Sequence, residues 1–214
     1  MAERECLAGL LEPAHTALLT VECQRGVVGP GSALPHLAVA VRADGTLSRI
    51  AALVAAARSA GATVVHAIAE RRPDGRGASR NARLFRTAER LPVQQLTGTP
   101  AAEVTDEIAV GASDLVVRRL HGLSPLAGTG LDALLRNLGV RTVVVTGVSL
   151  NIAVPNAVFD AVNLGYTAVV PADAVAGVPA DYAAAVLRHT LDLVATVTTA
   201  EAVLASWQGS DQLH

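Results

Sequence analysis

Residues Arg141-Thr-Val-Val-Val-Thr-Gly-Val-Ser-Leu-Asn-Ile-Ala-Val-Pro-Asn-Ala-Val-Phe-Asp-Ala-Val-Asn-Leu-Gly165 decide the fold. Val143, Val144 and Val145 make an unbroken β-branched run, as in a strand covered on both faces. Gly147 permits a close backbone turn, and Pro155 suits the first turn of a helix, where its missing N–H is no loss. The stretch predicts a buried strand passing through a tight junction into a helix. In open α/β sheets, such strand ends are where small-molecule sites are built.

The same alternation extends in both directions. Strands are expected at Thr16–Cys23, Ala62–Ala69, Asp114–Arg118, Arg141–Gly147, Thr167–Val170 and Leu193–Thr198. Helices are expected at Leu47–Ala60, Leu131–Leu138, Ile152–Leu164, Ala180–Leu191 and Ala200–Trp207, with Asp44 and Asp181 placing negative charge near two helix N-termini. Gly26–Arg42, rich in Gly and Pro, and Glu70–Gln95, rich in Arg, read as loops with short helical pieces that follow strand C-terminal ends. The pattern predicts a Rossmann-like three-layer α/β/α sandwich on a six-stranded parallel sheet, with residues 1–214 as one domain.

Composition narrows the partners. A net charge of −2 over 214 residues, with 2% aromatics, gives neither the basic surface nor the stacking platforms that nucleic acids require. The N-terminus lacks the basic and long apolar regions of a secretory signal, and no apolar run reaches membrane-spanning length, so no membrane partner and a cytoplasmic location are expected. Cys6 and Cys23 are too few for a disulfide framework and read as free thiols. All 17 basic residues are arginines, and the chain has no lysine.

The junction, together with Gly165-Tyr-Thr-Ala-Val-Val-Pro-Ala-Asp-Ala174, resembles the isochorismatase-like hydrolases, which include nicotinamidase, N-carbamoylsarcosine amidase and isochorismatase. In the amidohydrolases the motif reads Thr-Gly-Val-x-x-Asn-x-Cys-Val, and the cysteine is the nucleophile of an Asp-Lys-Cys triad. Here Ala153 stands at the cysteine position, and the missing lysine removes a second triad member. The resemblance runs from about Thr16 to Thr198 and implies a six-stranded parallel sheet and assembly as a homodimer or homotetramer.

The candidate site is read from the residues and from this resemblance together. Ala17-Leu-Leu-Thr-Val-Glu-Cys-Gln-Arg25 is an apolar strand ending in an acid, and the family's catalytic Asp-x-Gln falls on Glu22 and Gln24. Glu22 is therefore the candidate general acid or acid/base, and Gln24 a substrate contact; the alternative is that Glu22 pairs with Arg71, Arg72 or Arg119. In Asp114-Leu-Val-Val-Arg-Arg-Leu-His-Gly-Leu-Ser-Pro-Leu-Ala-Gly-Thr-Gly-Leu-Asp132, the family lysine position falls at Leu120 or, with a one-residue shift, at Arg119. Arginine stays protonated and suits carboxylate binding better than proton transfer. His121 is the neighbouring group able to exchange a proton near pH 7.

Around Ala153, the amides of Ile152, Ala153 and Val154 would form a helix N-terminal anion site, with Ser149 and Asn151 as polar contacts or Asn151 as a helix cap. Val148–Ser149 falls where the family often has a cis peptide. Cys23 as a displaced nucleophile is disfavoured, because strand alternation turns it away from Glu22. The nicotinamidase metal motif falls on Glu70 and Arg72, where a cation would be repelled, and His66 alone is no zinc site; no metal and no other cofactor are expected. Arg71, Arg72, Arg76, Arg80 and Arg83 make a basic loop placed to close over an acidic ligand or to form a solvated, salt-bridged face.

Isochorismatase is the family precedent for hydrolysis without a cysteine, since it protonates a vinyl ether. The expected activity is accordingly a Cys-independent, metal-independent hydrolase for a small anionic, carboxylated metabolite. The alternative is an inactive relative serving as a metabolite-binding or oligomeric scaffold protein.

Overall fold

A computed structural model describes residues Leu7–Gln208. The expectation for Cys6 lies outside the described residues. Seven parallel strands form the sheet: β1 (Thr16–Val21), β2 (Thr63–Ala69), β3 (Leu115–Arg119), β4 (Thr142–Val148), β5 (Thr167–Pro171), β6 (Val175–Ala176) and β7 (Thr196–Thr198). Their spatial order is β3-β2-β1-β4-β5-β7, with β6 paired to the end of β4. The expected sheet had six strands; the seventh is β6, too short to announce itself by alternation.

Central strands β1 and β4 are buried at every position, as their largely apolar sequences, broken only by threonines and Gly147, suit a sheet covered on both faces. Alternate side chains feed two cores. Leu18, Val64, Ile68 and Val144 meet the helices Pro35–Ala43, Thr46–Ser59 and Ala200–Gln208 on one face. Leu19, Val65, Val143 and Val145 meet Leu131–Asn137, Ala153–Asn163 and Ala180–His189 on the other. Trp207 closes the first core, and its Nε1–H donates to Leu11 O at 3.1 Å.

Gly147 is required by contact between strands. Its φ is 105°, and a Cβ there would come within 2.3 Å of Val21 O on β1. This close approach lies beside the end of β1, where the chain changes character. The strand stops at Val21 rather than the expected Cys23, because Glu22, whose N–H still donates to Ala67 O, adopts φ 51° and turns the chain out of the sheet. The Gly26–Arg42 region contains the helices Arg25–Val28 and Pro35–Ala43, and the Arg-rich region contains Arg83–Ala88, in keeping with loops carrying short helical pieces. The final strand is shorter than expected, since Leu191–Leu193 forms a 3-10 turn.

Candidate functional site

Glu22 and Arg119 meet at the C-terminal ends of β1 and β3. The Arg119 guanidinium donates through Nη2 to the Glu22 carboxylate and at 3.3 Å to Leu123 O. Arg119 is deeply buried, its side chain 5% exposed against 21% for Glu22. It is thus Arg119, not Leu120, that touches the strand-end carboxylate. Its Nε and Nη1 are buried and have no hydrogen-bond partner among the described residues. Leaving one such donor unmet costs roughly 1–3 kcal/mol, and more for a charged group, so two on one side chain call for an explanation.

Beside Arg119 lies a cavity of about 130 Å³. Ala69, Glu70 and Arg71 at the end of β2, and Leu120, His121 and Gly122 beyond β3, form its floor. Its roof is the Arg-rich excursion, through Ser79, Phe85, Ala88, Glu89, Gln94 and Gln95. Arg71 Nε is a third buried donor without a partner. The excursion is fastened down by Glu89, which accepts from Arg71 at 3.0 Å and Arg80 at 2.9 Å, and by Ser79 Oγ, which accepts from Gly122 N–H at 3.1 Å. The Arg80 hydrogen bond, outweighing the opposing effect of burial and joined by the Arg71 charge, holds the Glu89 carboxyl below its usual range.

Several sequence expectations need correction. Gln24 is fully buried and its amide is spent on the backbone: Nε2 donates to Ala69 O and Ala102 O at 2.8 Å each, while Oε1 accepts from Ala69 N–H at 2.9 Å. It positions the β1 and β2 ends and has nothing to offer a ligand. Ile152 and Val154 also drop out of the expected anion site, since both amides donate to Ser149 O at 3.1 Å. Asn151 neither caps the helix nor reaches the cavity. It clamps Val178, donating to its carbonyl at 2.6 Å and accepting from its amide at 3.0 Å. Ser149 follows a cis peptide to Val148, and neither it nor Ala153 lines the cavity. Arg72 is exposed and paired to Asp74 at 2.7 Å. Of the expected site residues, the structure brings Arg71, Arg119 and His121 to the cavity wall, with Glu22 directly behind Arg119.

Cys23 is fully buried, and burial first, with the nearby Glu22 charge second, pushes its thiol up to about 12. Such a thiol supplies no thiolate at neutral pH. The nicotinamidase metal position does not fit a divalent cation: Arg118 donates to Glu70 at 3.0 Å, and Arg72 stands where the histidine would be. Among the described residues, no group of three or more His, Cys, Asp or Glu is placed to hold a metal. No helix among them is long and apolar enough to cross a membrane.

Residues 16–202 match the isochorismatase domain. The chain belongs to the isochorismatase family. It is 31% identical over 176 residues to the ureidoacrylate amidohydrolase RutB of Methylobacterium radiotolerans, covering 77% of this chain and 68% of that protein. With the protein of the same name from Methylorubrum extorquens it shares 34% identity over 179 residues, covering 77% and 72%. A crystal structure of a cysteine hydrolase from Pseudomonas syringae pv. phaseolicola superposes with a TM-score of 0.82 at 24% identity, over 94% of this chain and 95% of that one. Glu22, Arg119 and Ala153 all lie within the matched residues.

Proposed function

We propose that this isochorismatase-family protein binds a small carboxylated metabolite in the cavity beneath the Arg-rich excursion, and that amide hydrolysis through an acyl-enzyme is not its chemistry. The single observation carrying this reading is the set of three buried guanidinium N–H groups, on Arg119 and Arg71, without acceptors around one cavity. Small shifts of these side chains on binding would bring a carboxylate oxygen within reach, turning unmet donors into charge-assisted hydrogen bonds. Glu22 then serves as the internal counter-ion that keeps Arg119 in place. The cavity, about 130 Å³, has room for a compact acid. Ala153 has no group with which to attack a carbonyl, and an arginine that stays protonated is no proton shuttle.

One observation favours a second reading, Cys-independent and metal-independent hydrolysis with Glu22 as general acid or acid/base. Glu22 is the one non-glycine residue among those described with positive φ, it sits at a strand end, and it remains partly exposed. Backbone strain of this kind gathers at functional sites. His121, exposed on the cavity wall, would be its proton-exchanging partner. The relatives' activity on ureidoacrylate makes that compound, alongside isochorismate and simple amides, the natural probe.

Mass spectrometry of these compounds and a small-metabolite extract, incubated with wild type, Arg119→Leu and Glu22→Gln, separates the readings. Retention of a carboxylate by wild type, lost in Arg119→Leu and without consumption, is the expected result. Consumption by wild type that Glu22→Gln abolishes would replace binding with hydrolysis. Neither retention nor consumption would sink both.

A further inference from the structure

Seven of the chain's 17 arginines fall within residues 71–90, where only Asp74 and Glu89 oppose them. Seven against two gives this stretch +5 in a protein whose total is −2. Arg71, Arg72 and Arg80 are accounted for by ion pairs with Asp74 and Glu89. Arg76, Arg83, Arg86 and Arg90 are exposed and form no ion pair among the described residues. They sit within a helical turn or two residues of Ala78, Phe85, Ala88 and Glu89, which roof the cavity. Arginines held for stability would be interleaved with acids; crowded like this they repel one another. Neighbouring the lining residues in sequence, such a cluster sets up a positive field beside the cavity, which raises the local concentration of anions and accelerates their arrival.

We infer that the Arg71–Arg90 excursion is an electrostatic capture rim, set by Arg76, Arg83, Arg86 and Arg90, that makes the cavity select anionic over neutral ligands at the association step. The inference rests on the anion-binding reading above, but it concerns the association rate, whereas that reading concerns whether an anion is held at all. Rim charges act on encounter and are screened by salt, while contacts with Arg119 and Arg71 act on dissociation.

The test is ¹⁹F NMR line-shape titration with trifluoroacetate and, as a neutral control, trifluoroacetamide, on wild type and on a triple variant carrying Arg76→Gln, Arg83→Gln and Arg90→Gln. None of the three residues lines the cavity, and circular dichroism checks the fold. At low ionic strength the variant is expected to bind trifluoroacetate with an association rate lower by on the order of tenfold and an unchanged dissociation rate. That difference should collapse near ~1 M salt, where the Debye length is about 3 Å. Equal association rates for the two proteins would overturn the capture rim while leaving anion binding intact. An equal slowing of trifluoroacetamide would also overturn it, since the rim would then be acting through shape. Failure of wild type to bind trifluoroacetate at all would overturn the rim and the anion-binding reading together.

Discussion

Two buried arginine–carboxylate assemblies flank the sheet, and they differ in how completely their hydrogen bonds are made. In the first, Thr20, His66, Asp114 and Arg58 run from β1 to the helix Thr46–Ser59: Thr20 Oγ1 and His66 Nδ1 are 2.8 Å apart, and His66 Nε2 lies 3.0 Å from Asp114. Asp114, its side chain 1% exposed, also accepts from Arg58 through Nε and Nη2 and from Gly111 N–H at 2.7 Å. No buried side-chain polar atom of this chain of residues is left over. In the second, Glu22 satisfies one nitrogen of Arg119 and two have no partner among the described residues, beside a cavity. A completed network fixes a fold; an incomplete one beside empty space is a place for a ligand.

Breaking the completed network should produce the largest loss. Asp114→Ala strands the Arg58 guanidinium, His66 and the Gly111 amide, and should cost about 3–5 kcal/mol in urea unfolding. Glu22→Gln should cost less, on the order of 1–2 kcal/mol, because the amide oxygen can still accept from Arg119 and the lost charge borders a cavity that added acetate can enter. Acetate in the buffer should restore part of the Tm of Glu22→Gln and none of that of Asp114→Ala. Equal costs for the two, insensitive to acetate, would erase the distinction between them.

Acid sharpens the same contrast. Burial lowers the His66 pKa, against the opposing pull of Asp114, so the native state holds this ring neutral while the unfolded chain protonates it below about 6.5. Stability from this site is therefore present above that pH and declines as pH falls, by up to ~1 kcal/mol over the next unit. Burial raises the Asp114 carboxyl, but Arg58, Gly111 N–H and His66 together outweigh it and hold the group below its usual range. Its contribution is lost at still lower pH. His66→Gln should be less stable at pH 7 yet show a flatter decline between pH 6.5 and 5.5, measured by urea denaturation; a slope identical to wild type would place the titration elsewhere. The smallest effect belongs to Cys23: Cys23→Ala should leave anion binding unchanged in isothermal titration, and a changed affinity would return the thiol to the site.

Much of the fold was legible because it is written locally. The largely apolar run of β1, the β-branched run of β4 and the Gly-containing junction at Gly147 declare buried parallel strands. The candidate site was legible as a group of residues the structure places near one another, Glu22, Arg71, Arg119 and His121, but not in their pairing. Whether Arg119 or Leu120 faces Glu22 depends on the register of β3 and the left-handed turn at Glu22, which no local pattern encodes. Gln24, Ile152 and Val154 misled because their polar groups are spent on backbone partners, some of them distant in sequence. Glu89, Ser79 and Gln95 reach the cavity only through the path of the excursion, and Asp114 meets His66 across 48 residues of chain.

The most direct measurement is a ¹⁵N–¹H spectrum of the arginine Nε groups, assigned by substitution and titrated with propionate. Arg119 and Arg71, whose Nε–H groups have no acceptor among the described residues, should shift and saturate, while Arg58, whose Nε donates to Asp114 at 2.9 Å, should not move. Stationary Arg119 and Arg71 signals, or an Arg58 signal that shifts as they do, would contradict an anion site at the unfinished end of the sheet.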